Sequence, residues 1–198
     1  IRPMPDAATR LLADLVARRR QIVEMIGSER QRLRHEPPIR VRRSIERLLR
    51  ALEKELADID HDIGGAVRGS PAWREAEDLL SSVPGVGPVT SRSLIAELPE
   101  LGTLDRKKIA ALAGLAPFTR QSGTWKGKAF IGGGRTAVRT TLFMAAFVAT
   151  RYNPVLKAFY QRLLAAGKPK ILAIIAVARR LLTILNAIIR DRRPWQNA

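Results

Sequence analysis

The sequence contains no cysteine and only two histidines, His35 and His61, which lie in the first third of its 198 residues. Without thiols the chain forms neither disulfides nor thiolate-bound zinc sites. Acidic residues are scarce in one half, because residues 106–198 contain a single one, Asp191. That half therefore cannot build a metal site, a pair of catalytic carboxylates or a Ser-His-Asp relay from its own residues. We predict no metal ligand in the chain.

Basic residues are distributed just as unevenly. Residues 106–198 carry 18 lysines and arginines, whereas 17 basic residues balance 17 acidic ones in residues 1–105. The whole net charge of +17 thus belongs to the C-terminal half. Such one-sided charge predicts a polyanionic partner, since it otherwise costs self-repulsion. We expect this partner to be nucleic acid. A membrane surface is disfavoured, because the sequence shows no basic amphipathic helix with an aromatic apolar face. A merely soluble basic surface is the alternative.

Long uninterrupted hydrophobic runs are missing too. The most apolar run, residues 171–189, contains Arg179 and Arg180, which favours a buried helix over a membrane span. No secretory signal is visible at the start. The first residue is Ile1 rather than methionine, so we expect a fragment of a longer protein, located in the bacterial cytoplasm and associated with the nucleoid.

The periodicity predicts an all-α fold that begins with a long antiparallel helical hairpin. Apolar residues recur at three- and four-residue steps over residues 5–34, and the segment His35-Glu36-Pro37-Pro38 interrupts them. A second helix is predicted over residues 40–63. Its coiled-coil seam consists of Ile45, Leu48, Leu52, Leu56, Ile59 and Ile63.

The hairpin is predicted to form a domain of residues 1–66 that makes a homodimer or a higher homo-oligomer. A long hairpin buries only a narrow stripe against its own partner helix, which leaves a second face for another copy. A rigid spacer without a partner is the alternative. The glycines Gly64 and Gly65, with the segment Gly69-Ser70-Pro71, are predicted to form a hinge before a second domain of residues 72–198.

The second domain is predicted to be compact, helical and able to hold nucleic acid. It begins with two helices joined by Pro84-Gly85-Val86-Gly87-Pro88, an arrangement that resembles a helix-hairpin-helix motif. Gly85 and Gly87 would let backbone amides at the second helix's N-terminus approach a phosphate. An ordinary tight turn is the alternative.

A glycine-rich basic loop follows, over residues 114–135, with the sequence GLAPFTRQSGTWKGKAFIGGGR. It contains Ser122, the only serine after residue 105. Cations suit phosphoryl transfer because they stabilise charge on the non-bridging oxygens. Ser122 is therefore either a nucleophile for DNA strand exchange or a residue that contacts phosphate. Tyr152 and Tyr160 are competing nucleophiles. The basic residues near Ser122 are Arg120, Lys126, Lys128, Arg135 and Arg139.

Several short segments follow one another in a characteristic order within residues 78–190. They are Val83-Pro84-Gly85-Val86-Gly87, Glu97-Leu98-Pro99-Glu100-Leu101-Gly102, Ala110-Ala111-Leu112-Ala113-Gly114-Leu115-Ala116-Pro117, Ser122-Gly123, Lys126-Gly127, Gly133-Gly134-Arg135, Val138-Arg139, Asn153-Pro154, Tyr160 and Gly167-Lys168-Pro169-Lys170. In this order and spacing they resemble the C-terminal domain of the insertion-sequence one-ten transposases. The preceding hairpin resembles that family's coiled-coil dimerisation segment.

The resemblance implies a bridge-RNA-guided serine recombinase. Ser122 matches the family's serine, which forms a phosphoserine link with DNA. The family's Mg²⁺ is bound by four acids of an N-terminal RuvC-like domain, which this chain lacks. The resemblance thus implies a C-terminal fragment that binds DNA and bridge RNA but does not cleave alone. Its candidate nucleic-acid-binding residues are Arg120, Lys126, Lys128, Arg135, Arg139, Gly85, Gly87, Lys168 and Lys170. The alternative is a non-catalytic module for nucleic-acid binding and oligomerisation.

Overall fold

The computed structural model describes residues 6–118, 121–122, 125–126 and 130–196, and gives side chains for residues 6–118 and 130–196. Within these residues the chain forms eight helices and four two-residue strands, which confirms the predicted all-α class. It divides into two compact units, Ile1–Pro71 and Ala72–Ala198.

The first unit consists of α1 (Ala7–Leu33) and α2 (Ile39–Gly69). Asp6 caps α1 by accepting a hydrogen bond from the Thr9 amide at 2.7 Å. The helices run antiparallel. Arg30, near the connection, pairs with Glu53 at 2.8 Å, and Arg19, further away, pairs with Asp60 at 2.6 Å.

Two expectations about α2 are wrong. The residue after Ile45 in the buried seam is Leu49, 8% exposed, whereas Leu48 is 46% exposed. Residues four apart lie on the same face of a helix, so Leu49 can follow Ile45 in the seam. The sequence does not distinguish Leu48 from Leu49, because both are leucines. The predicted hinge is wrong at Gly64 and Gly65, because α2 continues through both glycines to Gly69. The segment Gly69-Ser70-Pro71 coincides with the end of α2 and with the boundary between the two units. The burial of Ile63 and Val67 offsets the roughly 1 kcal/mol that each helical glycine costs.

The second unit contains six helices and a short β arm. The helices are α3 (Pro71–Ser81), α4 (Pro88–Glu97), α5 (Arg106–Leu112), α6 (Thr136–Tyr152), α7 (Pro154–Ala165) and α8 (Lys170–Asp191). Its core is built on α8, against which α5, α6 and α7 pack. Among the described residues α8 is also the one helix long and apolar enough to cross a membrane. In this structure Val177, Leu181 and Leu185 on α8 are completely buried in the core.

A buried asparagine fastens the loop before α5 to α8. Asn186, 3% exposed, accepts a hydrogen bond from the Gly102 amide at 2.8 Å. Its own amide nitrogen donates to the Leu104 carbonyl at 2.9 Å. Both polar ends of the side chain are satisfied, and the loop's path over the core is fixed. This loop carries Glu100, which the functional site uses.

Candidate nucleic-acid interface

The segment that carries Ser122 contains four short strands in two antiparallel pairs, which we call the arm. Its strands are β1 (Pro117–Phe118), β2 (Gln121–Ser122), β3 (Trp125–Lys126) and β4 (Phe130–Ile131). β1 pairs with β4, and β2 pairs with β3, where Ser122 lies opposite Trp125. Aromatic and β-branched residues favour such pairing in spite of the surrounding glycines. The candidate nucleophile therefore lies at the end of β2, three residues before β3 begins.

The paired strands β1 and β4 each expose one aromatic ring. The centroids of Phe118 and Phe130 are 5.9 Å apart, and the side chains are 49% and 44% exposed. Stacking across the pair contributes on the order of 1 kcal/mol to holding β1 against β4. These two rings are therefore open to solvent, whereas Ile131 on β4 is partly buried against the hydrophobic core.

The base of the arm depends on two backbone segments that cross at Gly114 and Gly134. Both glycines have positive φ angles, +70° and +59°. A Cβ atom at Gly134 would lie 2.5 Å from both the Gly114 nitrogen and the Leu112 oxygen. The neighbouring Arg135 amide donates to that same Leu112 carbonyl at 2.8 Å. Only glycine permits this approach, so the end of α5 and the start of α6 fix the arm's two ends together.

Arg135 braces this base from the side. Its Nη1 lies 2.5 Å from Glu100 Oε2, and its Nη2 lies 2.7 Å from Oε1, which makes a two-point ion pair. Nη1 also donates to the Glu97 carbonyl at 2.9 Å. The Glu100 side chain is only 11% exposed, so the pair is well shielded from water. The sequence placed Arg135 among the phosphate ligands, whereas its guanidinium here binds the chain's own carboxylate.

Arg139 completes the brace. Its Nη1 donates to the Gly133 carbonyl at 2.6 Å, and its Nη2 donates to the Thr136 hydroxyl at 3.2 Å. A Cβ atom at Gly114 would collide with this guanidinium. Arg139 and Arg135 lie one turn apart, as predicted from the sequence, but each binds a different carbonyl of the chain. Local sequence could not predict the contact with Glu100, which lies 35 residues before Arg135.

The predicted helix-hairpin-helix occupies the turn between α3 and α4, and its two glycines differ. Gly85 has a φ of +100°, and a Cβ atom there would lie 2.7 Å from the Ala149 Cα of α6. Gly85 therefore serves close packing against α6. Gly87 is the exposed N-cap residue of α4, and a Cβ atom there would meet nothing within 4 Å. The space beside Gly87 is open to a phosphate backbone.

Polar contacts hold the two helices of this turn in a fixed arrangement. Arg92 on α4 donates to Glu77 on α3 at 2.7 Å, and both side chains are mostly buried. The hydroxyls of Ser81 and Ser91 lie 2.9 Å apart. Such a rigid pair presents the start of α4 without reorganisation when a ligand binds.

The remaining predicted residues lie elsewhere. Lys168 is exposed on the connection between α7 and α8, and Lys170 is exposed at the first residue of α8. Gly167, in the connection, has a φ of +74°. Arg120 and Lys128 lie outside the described residues, and for Lys126 the structure describes only the backbone of β3.

The competing tyrosines lie outside the arm. Tyr160 packs against the core, and Tyr152 is 69% exposed at the end of α6. Among the described residues there is no group of three or more histidines and acids that could hold a metal ion. The side chains that the structure describes therefore do not fit a Mg²⁺ site, and we assign no chemical step to a metal in this chain.

One family model matches the part of the chain that contains both the arm and the helical turn. The model of the family described as "Transposase IS116/IS110/IS902 family" matches residues 77–161. That range runs from α3 into α7 and includes the whole arm.

Similar proteins come from several bacteria. The chain is 34% identical over 152 residues to the "Pilin gene-inverting protein" of Moraxella bovis, a match that covers 74% of this chain and 47% of the relative. It is 32% identical over 155 residues to the "Insertion element IS900 uncharacterized 42 kDa protein" of Mycobacterium paratuberculosis, covering 75% and 37%. It is 29% identical over 151 residues to the "Insertion element IS110 uncharacterized 43.6 kDa protein" of Streptomyces coelicolor, covering 75% and 36%. These matches span less than half the length of each relative.

Proposed function

Because residues 77–161 form a transposase domain of the IS116/IS110/IS902 family, we propose that this chain serves DNA strand exchange with Ser122 as the nucleophile. The observation that carries the proposal is the position of Ser122 on the arm, opposite Trp125, with the arm's base clamped at Gly114 and Gly134. A reactive group must be held within about 0.5 Å of its productive position. A clamped two-stranded arm meets that need better than an open loop does.

The proposed reaction conserves the number of phosphodiester bonds. The Ser122 oxygen forms a bond to phosphorus, the bond from phosphorus to the deoxyribose oxygen breaks, and the serine proton passes to that leaving oxygen. A hydroxyl of the second DNA strand then attacks the phosphoserine, which restores a phosphodiester and the free serine. Arg120, Lys126 and Lys128 stabilise the charge on the phosphorus-bound oxygens.

The contacts of the basic residues also support a catalytic role for the arm. Arg135 and Arg139 bind Glu100 and the Gly133 carbonyl, so they position the arm instead of the phosphate. We propose that the three basic residues closest to Ser122 in sequence contact the substrate. The exposed start of α4 at Gly87 is a second place where the domain holds the DNA backbone.

We extend the proposal to the activity of a complete protein that is longer than this chain. The chain spans about half or less of the length of the relatives it matches. From the resemblance to bridge-RNA-guided recombinases, we propose that this chain is the C-terminal part, that a bridge RNA guides the complete enzyme to DNA, and that an acidic N-terminal domain supplies the Mg²⁺ site. The chain alone then binds nucleic acid without cutting it. The proposed location is the cytoplasm, on the nucleoid.

We also propose that the hairpin joins two copies of the chain. Its surface exposes several large apolar side chains that do not contribute to the seam between α1 and α2. A groove of about 420 Å³ on this unit is lined in part by Met25, Leu48 and Leu52. The exposed apolar residues of the unit are Leu11, Val23, Met25, Ile39, Val41 and Leu48.

The test is strand exchange by the complete protein with its RNA. We expect Ser122→Ala to lower the rate by at least about a thousandfold and to leave assembly on DNA unchanged in a gel shift. Ser93→Ala, at a half-buried serine on α4, is the matched control and should exchange strands normally. A nicked DNA substrate should also trap a covalent adduct on Ser122. Near-normal exchange by Ser122→Ala would reject the nucleophile and leave a nucleic-acid-binding module as the function.

A further inference from the structure

An open groove between α5, α7 and α8 lies outside the residues used so far. Its volume is about 520 Å³. Residues of three helices line the groove, and its surface is mostly apolar apart from the charged ends of the basic side chains. Neither the arm nor the α3–α4 turn contributes to it. The lining residues are Arg106, Lys107, Phe159, Ala176, Arg179, Arg180, Thr183 and Ile184.

The groove concentrates positive charge that no carboxylate of its lining offsets. Four of its eight lining residues are cations, and none is acidic. The acid nearest in sequence is Asp105, and it is engaged in capping α5 by accepting from the Lys107 and Lys108 amides at 2.8 and 2.9 Å. The amide of Lys108 holds the pKa of Asp105 below its ordinary value. A ligand for this groove must therefore be anionic.

An aromatic ring orders the arginines here. The guanidinium carbon of Arg180 lies 4.7 Å from the ring centroid of Phe159, and that of Arg162 lies 5.3 Å from it. A cation–π contact holds a guanidinium against a ring face but uses none of its N–H donors. This differs from Arg135, whose donors are directed at Glu100. Of the arginines that line the groove, Arg180 is thus pre-positioned by the ring with its N–H donors still available to a ligand.

We propose that this groove binds a single strand of DNA. Arg106, Lys107 and Arg179 contact consecutive phosphates, and a base stacks on the guanidinium of Arg180, which the ring of Phe159 supports. Single strands are bound by basic grooves that also offer flat surfaces for stacking. A duplex, with its bases stacked inside, would leave the apolar part of the groove uncovered.

The choice of DNA rests on the transposase domain and not on the role of Ser122. Strand exchange requires a DNA end to leave its duplex, and a separate groove would retain that single strand. The groove residues come from α5, α7 and α8, so their contribution can be removed without touching the arm. Failure of this proposal and failure of the Ser122 proposal are therefore distinguishable.

The test uses the 198-residue chain and a fluorescein-labelled thymidine homopolymer followed by fluorescence anisotropy. The double variant Arg179→Gln/Arg180→Gln removes two groove charges and keeps long polar side chains. Arg192→Gln/Arg193→Gln removes the same charge from two exposed positions just beyond α8. We expect roughly tenfold weaker binding for the groove variant and less than about a twofold change for the control. The salt dependence of log K should fall by about 0.7 for the groove variant only, because Arg179 contacts a phosphate whereas Arg180 stacks with a base.

A third variant tests stacking. Phe159→Leu keeps an apolar side chain against the core and removes the ring that holds Arg180. We expect it to weaken single-strand binding roughly threefold to tenfold and to leave duplex binding unchanged. Thermal unfolding followed by circular dichroism identifies any variant that is merely misfolded. Equal losses in the two double variants, or stronger binding of duplex DNA or of the matching RNA strand, would overturn the proposal.

Discussion

The glycine crossing at the base of the arm can be tested with two adjacent substitutions. Gly133 and Gly134 have nearly the same φ angles, +62° and +59°, so alanine suffers the same backbone penalty at either position, about 1–2 kcal/mol. Their surroundings differ. At Gly133 the atom nearest to a Cβ would be Phe118 Cζ at 3.9 Å, whereas at Gly134 the Gly114 nitrogen and Leu112 oxygen lie at 2.5 Å. The Gly114 and Leu112 atoms belong to the backbone and cannot rotate away.

We therefore expect Gly133→Ala to lower the free energy of unfolding by about 1–2 kcal/mol and Gly134→Ala by about 2–5 kcal/mol, since overpacking adds about 1–3 kcal/mol. The measurement is urea unfolding of both variants and the parent chain, followed by far-ultraviolet circular dichroism. The difference between the two variants isolates the close approach, because the backbone penalty cancels. Equal destabilisation within about 0.5 kcal/mol would refute the reasoning and mean that the crossing relaxes without cost.

Two further contacts yield predictions of similar size. Glu100→Gln keeps the shape of the side chain but removes the charge that Arg135 binds, and we expect a loss of about 1–3 kcal/mol in urea unfolding. The loss should largely disappear in the Arg135→Gln background, and a double-mutant cycle without coupling would contradict the pairing. Asn186→Leu leaves one backbone amide and one carbonyl of the loop before α5 without partners, which should cost about 2–4 kcal/mol in thermal unfolding. A change below about 1 kcal/mol would mean that water replaces the side chain.

The helices were predictable from the sequence because their signals are local. Apolar spacing located the two long helices, and proline and glycine marked most of the ends. The exceptions have a tertiary cause. The glycines at 64 and 65 remain helical beside the buried residues Ile63 and Val67, and the choice between Leu48 and Leu49 depends on where α1 lies. Local propensity is a weak prior that packing overrides.

The candidate site was only partly predictable. Ser122 stood out by composition, but the pairing of β2 with β3 depends on strands of two residues, which periodicity cannot detect. Arg135 and Arg139 were predicted as a pair of phosphate ligands from their one-turn spacing. That spacing says nothing about Glu100, whose carboxylate approaches from a loop 35 residues earlier. The partners of a charged side chain are set by tertiary structure.

A count of basic residues therefore overstates how many can bind phosphate. The C-terminal half carries 18 of them and a single acid, which invites the inference that nearly all are available to nucleic acid. In this structure the Arg135 guanidinium binds Glu100, from the loop just before that half, and the Arg139 guanidinium binds the Gly133 carbonyl. An arginine beside a carboxylate has its donors directed inward, whereas Arg180 beside Phe159 keeps them for a ligand. The chemical identity of the neighbour, more than the charge itself, separates residues that build the site from residues that bind its substrate.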